Sequence, residues 1–248
     1  MVFLEKTNDK KESAVFSVIL AAAGKSQRFI ETKANKPAVK KIFASIRRKP
    51  VWLYSAEKFY RREDVVQLII VVSPDDLAWF FRFYAEEINR MFLLVVAGGK
   101  ERADSIRNAL AVVRSDVDFI AVHDAARPCV SKLEIDAVFR QARIDGAAML
   151  ATPIVGTIKR VYDGQIVETV NRENLWEAQT PQVFRRDILL NAYEHQNTHP
   201  TDDAQLVENA GYAVSVVPAD RSNIKITTQT DLTLAETILL HQNDSILN

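Results

Sequence analysis

Short apolar, β-branched runs recur along the chain with amphipathic stretches between them. Runs at residues 14–20, 65–72, 92–96, 118–122 and 147–152 are too short and too uniformly apolar for surface helices, and they read as strands buried on both faces. Between them the 3.6-residue period predicts helices. Pro50 opens one that reaches residue 61, Pro74 one to residue 89, Glu101 one to residue 113, and Ser131 caps one to residue 143. Strand and helix in alternation predict an α/β fold, with a mostly parallel sheet covered by helices on both faces. After Pro153 the rhythm changes. Runs at 158–162 and 166–170 flank Asp163-Gly164, a dipeptide suited to a tight turn, so a β-hairpin arm over about residues 155–172 is expected to protrude. Read from pattern alone, that arm is as compatible with a simple antiparallel extension as with a reach toward a second subunit. Alternation then resumes with a helix at 185–195, a strand at 213–218 and a final helix from Thr230. With no linker, repeat or low-complexity segment, residues 1–248 read as a single domain.

Composition narrows the partners. Of 248 residues, 48% are hydrophobic and 26% charged, the balance of a folded globular chain. The 32 basic residues equal the 32 acidic ones, so no global field favours nucleic acid or an anionic membrane, and an anion site has to be local. The single cysteine, Cys129, cannot close an intrachain disulfide and has no companions at zinc-site spacing. With no apolar run of signal or membrane-spanning type, a cytoplasmic protein is expected. The mixed-charge segment 1–13 stands outside the fold argument.

Candidate chemistry lies at strand ends. Ala21-Ala22-Ala23-Gly24 follows the first strand, where small side chains let backbone N–H groups approach a polyphosphate; Lys25 and Arg28 add charge. Read alone, this is a structural turn as readily as a phosphate cradle, and it has neither the Gly-x-x-x-x-Gly-Lys pattern nor a dinucleotide fingerprint. The basic segment 33–49 includes Lys36, Lys40, Lys41, Arg47 and Arg48. Most of these read as solvated surface charges; the sharper reading is that one lysine folds back on the triphosphate, and spacing does not say which.

His123-Asp124-Ala125-Ala126-Arg127-Pro128 falls at the carboxyl end of the fourth strand, where open α/β sheets place ligands. Asp124 can hold Mg²⁺; Arg127 can bind phosphate or pair with Asp124. His123 is expected to pack or hydrogen-bond, and Cys129 to be a small buried thiol. Gly98-Gly99, with Ser105 seven residues after the first, suits a ribose or base contact or a plain helix start. Lys225 is expected near the end of a late strand over 223–227.

Taken together these segments resemble the 2-C-methyl-D-erythritol 4-phosphate cytidylyltransferase family. The matching pieces are residues 20–29, 41–51, 98–105, 122–128, 157–160, 172–181, 201–202 and 223–227, in order along nearly the whole chain. The resemblance implies a Rossmann-like fold, and a reaction in which CTP and 2-C-methyl-D-erythritol 4-phosphate give the cytidine-diphospho sugar alcohol and pyrophosphate, in non-mevalonate isoprenoid biosynthesis. Mg²⁺ would be the only cofactor. By family motif, Arg28 and Lys41 stabilise charge at the α-phosphate, while Arg172 and Lys225 position the attacking phosphate. Ala22, Ala23, Gly24, Ser26, Gly99, Ser105 and Thr180 would hold the nucleotide. Asp124, Arg127, Thr157 and Thr201 would meet the sugar phosphate, and the hairpin would be a homodimer arm.

Four positions depart from the usual pattern. Ser26 stands where a second loop glycine is common, Lys40 where proline precedes the loop lysine, Lys100 where an acid is frequent, and Asn171 where an acid precedes Arg172. The alternatives to this reading are a ribitol 5-phosphate cytidylyltransferase and a non-catalytic CTP-binding regulatory protein. The latter should have lost Arg28, the loop lysine or Lys225, and all are present.

Overall fold

Residues whose side chains alternate between two apolar surroundings form the centre of the sheet. In the computed structural model, residues 14–26, 29, 40–195 and 200–244 are described. In chain order the strands are β1 (Phe16–Ala21), β2 (Ser45–Ile46), β3 (Lys49–Pro50), β4 (Val65–Val72), β5 (Leu94–Ala97), β6 (Phe119–Asp124), β7 (Ala147–Pro153), β8 (Ile158–Tyr162), β9 (Gln165–Val170), β10 (Trp176–Arg185) and β11 (Ser215–Pro218). The helices are α1 (Val51–Tyr60), α2 (Leu77–Phe83), α3 (Ala85–Arg90), α4 (Arg102–Leu110), α5 (Lys132–Asp145), α6 (Arg186–Glu194), α7 (Asp203–Asn209) and α8 (Gln229–Asp244).

Seven strands form the main sheet in the order β11-β7-β10-β6-β1-β4-β5. β1 lies between β4 and β6 and is parallel to both, β5 joins β4 in parallel, and β11 joins β7 in parallel. Along β1, Val18 and Leu20 enter one apolar layer with Trp52, Phe59, Phe80 and Phe139, while Ile19 enters the other with Ile106, Leu110, Leu189 and Val207. Both faces are therefore buried, which is why these strands read as continuous apolar runs rather than alternating ones. A third cluster, with Phe29, Ile46, Val51, Cys129, Ile226 and Leu239, packs α8 against this body. Among the described residues no helix is long and apolar enough to cross a membrane.

Four local expectations are corrected. The single helix expected over 74–89 is a 3-10 turn (Pro74–Asp76) followed by α2 and α3, broken at Tyr84 with φ −122° and ψ 25°. The Tyr84 ring packs 5.1 Å from Trp52 and 5.2 Å from Phe80, and that aromatic seat outweighs a modest helical preference. The central strand β10 was not expected: its Trp-Glu-Ala-Gln-Thr-Pro segment is polar and contains a proline, which disfavours a central strand. It runs antiparallel between β6 and β7, and Pro181 falls where the register with β7 shifts between Ala178 and Gln182. Helix α7 was also missed; it is only seven residues long, and Asp202 caps it by accepting the Gln205 N–H. Finally, residues 223–227 are irregular rather than a strand, joined to the neighbouring loop where the Ile226 N–H donates to the Ala126 carbonyl at 2.8 Å.

Candidate active site

Strands β1, β4, β5 and β6 all point their carboxyl ends the same way, and a cleft of about 1010 Å³ opens there. Its walls include Ala22, Ala23, Gly24, Lys25, Lys40, Lys41, Gly99, Lys100, Arg102, Ser105, Asp124 and Lys225. Cα pairing sets Ala21 beside Asp124, and the Ala125 N–H donates to the Ala21 carbonyl at 3.1 Å, so the small-residue loop and the Asp124 loop leave the sheet side by side.

Close backbone approach accounts for two glycines. A Cβ on Gly98 would lie 2.6 Å from Ala23 Cβ, and one on Gly99 only 2.3 Å from Asp104 Cβ. The turn is thus wedged between the loop after β1 and the start of α4. Ser105 secures it: its hydroxyl accepts the Gly99 N–H at 3.0 Å and donates to the Glu101 carbonyl at 3.0 Å. A Cβ on Gly24 would meet nothing within 4 Å, so that residue leaves its side of the cleft open.

Ser26 adopts the left-handed region, with φ 57°. That conformation explains why glycine is common there. A non-glycine residue pays about 1–2 kcal/mol for it. The hydroxyl offsets part of that cost by accepting the Lys41 N–H at 3.3 Å, which ties the loop to the 3-10 turn Lys41–Phe43. Arg28, expected at the end of this loop, lies outside the described residues.

Asp124 is the electrostatic centre. The Lys225 ammonium is 2.8 Å from its Oδ2, and the Arg127 guanidinium 3.6 Å. Burial works to raise the Asp124 carboxyl, but Lys225, Arg102 and Arg127 outweigh it and hold the group well below the usual carboxylate range. Arg127 is itself buried and committed to structure, donating to the Asn223 carbonyl at 2.7 Å and the Ala178 carbonyl at 3.4 Å. Thr180 is buried beneath the cleft rather than on its wall, and its hydroxyl oxygen accepts the Asp124 N–H at 3.0 Å. Beside Thr180, burial pushes the His123 imidazole down to about 4, and in the cluster against α8 it pushes the Cys129 thiol up to about 12, leaving both neutral.

Arg102 and its partner were not singled out from sequence. At the first position of α4, Arg102 donates to Asp203 Oδ2 at 2.6 Å; Asp203 is fully buried and also accepts the Tyr193 hydroxyl at 2.6 Å. Burial alone would lower the Arg102 guanidinium, yet Asp203 raises it, fixing a permanent cation in the wall. Arg102 lies in the segment 98–105 and Asp203 directly follows 201–202, but nothing local in either indicates that they meet.

Besides Ser26, Arg127 and Thr180, which border the cleft without lining it, three expected residues do not reach it within one chain. Thr157 and Arg172 belong to the exposed hairpin region, where Arg172 donates to the Val155 carbonyl. Thr201 is exposed and gives its N–H and hydroxyl to Gln205 Oε1. Among the described residues no three His, Cys, Asp or Glu side chains gather to cage a metal. One carboxylate on the wall of this cleft fits a hard cation that arrives on ligand phosphates and keeps most of its own shell.

A family model for IspD, 2-C-methyl-D-erythritol 4-phosphate cytidylyltransferase, matches residues 16–241. The chain is 38% identical over 239 residues to the 2-C-methyl-D-erythritol 4-phosphate cytidylyltransferase of Rhodopirellula baltica, covering 92% of this chain and 96% of that protein. It is 40% identical over 225 residues to the protein of that name from Endomicrobium trichonymphae, covering 90% and 98%. The crystal structure of the Francisella tularensis protein of that name superposes with a TM-score of 0.75 at 29% identity, over 91% of this chain and 100% of that one. The chain belongs to the 2-C-methyl-D-erythritol 4-phosphate cytidylyltransferase family.

Proposed function

We infer that this protein transfers the cytidylyl group of CTP to 2-C-methyl-D-erythritol 4-phosphate, releasing pyrophosphate. The observation that carries the reading is the Asp124–Lys225 pair facing the small-residue loop and Lys41 across one cleft at the carboxyl ends of the parallel strands. An oxygen of the acceptor phosphate attacks the α-phosphorus of CTP, and the bond to the pyrophosphate oxygen breaks in line with it. Backbone N–H groups over 22–26 approach the phosphates, while Lys41, Lys25 and Arg28 meet the charge that develops as pyrophosphate leaves. Lys225, oriented by Asp124, holds the acceptor phosphate. Gly99 and Ser105 form the wall for the cytidine.

Mg²⁺ fits as the cofactor, bound to the triphosphate and to Asp124, where it would neutralise phosphate charge. The protein groups orient the reactants around it.

The arm carries two of the residues that the cleft lacks, Thr157 and Arg172. Val161, Tyr162, Ile166 and Val167 on β8 and β9 are 55–73% exposed, more apolar surface than a lone hairpin usually leaves in water. We therefore read it as the contact of a homodimer that carries Thr157 and Arg172 into the partner's cleft, in a cytoplasmic enzyme. Mixing Arg172→Ala with Lys225→Ala protein tests the exchange. If the arm serves the partner, subunit reassortment restores about a quarter of the native turnover, since half the dimers are mixed and each has one intact site. Failure of two inactive variants to complement would place Arg172 in its own subunit's site, and an active Arg172→Ala would place it outside the reaction. The transfer itself is tested by acceptor-dependent pyrophosphate release.

A further inference from the structure

His123 sits immediately before Asp124 at the end of β6, fully buried, with the Phe59 ring 5.1 Å away. Its Nε2 is 3.1 Å from the Arg127 carbonyl oxygen, and a carbonyl only accepts, so Nε2 carries the proton. Nδ1 of the neutral ring is then an acceptor, and its partner at 3.1 Å, the Thr180 hydroxyl, is the donor. The same hydroxyl oxygen takes the Asp124 N–H at 3.0 Å. Every proton in the chain is thereby assigned, running from Asp124 N–H to Thr180 Oγ1, from Thr180 O–H to His123 Nδ1, and from His123 Nε2–H to the Arg127 carbonyl.

This chain starts and ends on the two residues that close the active-site turn, where the Arg127 N–H donates to the Asp124 carbonyl at 2.9 Å. It also replaces a missing ladder contact. β10 pairs with β6 only over Gln182–Arg185, so the Asp124 N–H has no strand carbonyl opposite it, and the Thr180 hydroxyl stands in. A protonated ring could not complete the set, because Nδ1–H would take the Thr180 oxygen as acceptor and leave the Thr180 O–H without the ring to donate to.

We propose that His123 and Thr180 are positioning residues, which through a fixed Nε2–H tautomer and the Thr180 hydroxyl aim the Asp124 carboxylate at Lys225 and the cleft. Only the kinetic consequence rests on the cytidylyltransferase reading; the tautomer and the hydrogen bonds do not depend on it.

The test uses the full-length chain labelled with 15N-histidine at pH 7.5, its four histidines assigned by substituting the other three in turn. His123 should show a protonated Nε2 and an unprotonated, hydrogen-bonded Nδ1. A protonated Nδ1, or two protonated nitrogens, overturns the proposal. In Thr180→Val the hydrogen exchange of the Asp124 amide should speed up roughly tenfold, the effect of about one lost hydrogen bond. Turnover should fall by about tenfold or more, with the KM for CTP nearly unchanged, and Thr180→Ser should restore both. Unchanged Asp124 exchange in Thr180→Val overturns the proposal, as does faster exchange with native turnover. If the native protein transfers no cytidylyl group, the reaction assignment fails separately, and the tautomer and the exchange rates decide the positioning claim. Should Thr180→Val fold poorly, Thr180→Ala read by the same two signals replaces it.

Discussion

Lys40 and Asp76 form an ion pair of 2.6 Å at the rim of the cleft, their side chains 21% and 18% exposed. Two adjacent lysines line the same cleft, and this pair separates them. The Lys40 ammonium is held by an acid of the Pro74–Asp76 turn, whereas Lys41 opens the turn whose backbone is tied to the small-residue loop through Ser26.

Lys41→Ala should therefore lower turnover by about 10²- to 10³-fold, the scale of losing one preorganised group that meets transition-state charge. Lys40→Ala should stay within about tenfold, because its loss frees Asp76 at a half-open site. Steady-state kcat and KM for both variants check this. The opposite ranking would place the catalytic lysine one residue earlier.

The pair Arg102–Asp203 predicts an asymmetry in stability. Removing Arg102 leaves a fully buried carboxylate with the Tyr193 hydroxyl and no cation, so Arg102→Ala should cost about 3–5 kcal/mol. Asp203→Asn keeps a hydrogen-bonding acceptor for Arg102, whose side chain remains 30% exposed to water, and should cost about 1–3 kcal/mol. Urea unfolding of the two variants measures the order. Equal costs would mean that the buried charge is not what Arg102 offsets.

His123 predicts a dependence on pH. Burial holds its folded-state value at about 4, below the ordinary 6.5. The unfolded chain takes up a proton as pH falls through 6.5, and the folded protein does not until about 4. Stability from this residue is thus complete above about pH 6.5 and declines toward pH 4, with a slope of up to about 1.4 kcal/mol per pH unit. Asp124 stays ionised in the folded protein throughout that window, since its carboxyl is held low, and its own contribution to the slope is confined to the acid end, where the unfolded carboxyl begins to bind a proton near its ordinary value of about 3.9. Urea midpoints of the ligand-free protein between pH 7.5 and 4.5 should show this decline, and His123→Gln should flatten it. A variant with the native slope would contradict it.

The fold was legible where one physical signal dominated. Residues 68–72 are buried on both faces of a parallel sheet, and the apolar run 65–72 coincides with β4. Ser131 and Glu134 form a capping box, and Gly146 ends the same helix in the left-handed conformation, φ 84°. β10 was illegible because its stabilising contacts are long-range. Gln182 bonds to Asp202 and accepts from the backbone of Asp203 and Ala204, and Thr180 serves Asp124, so polar residues fill a central strand for reasons no local window carries.

For the site, the motif residues Ala22, Ala23, Gly24, Lys41, Gly99, Ser105, Asp124 and Lys225 converge on one cleft. Arg127 and Thr180 instead brace Asp124 from below. Sequence spacing gives proximity along the chain, and it cannot separate a residue that lines a cleft from one that holds the lining in place.

The most direct measurement is pyrophosphate release from CTP and Mg²⁺ by the purified protein, with no acceptor, with 2-C-methyl-D-erythritol 4-phosphate, and with ribitol 5-phosphate. Release that requires the methylerythritol phosphate and is far slower with ribitol phosphate is the predicted result. Equal turnover of the two acceptors would contradict the assigned specificity, and no release with either would contradict the enzymatic reading itself.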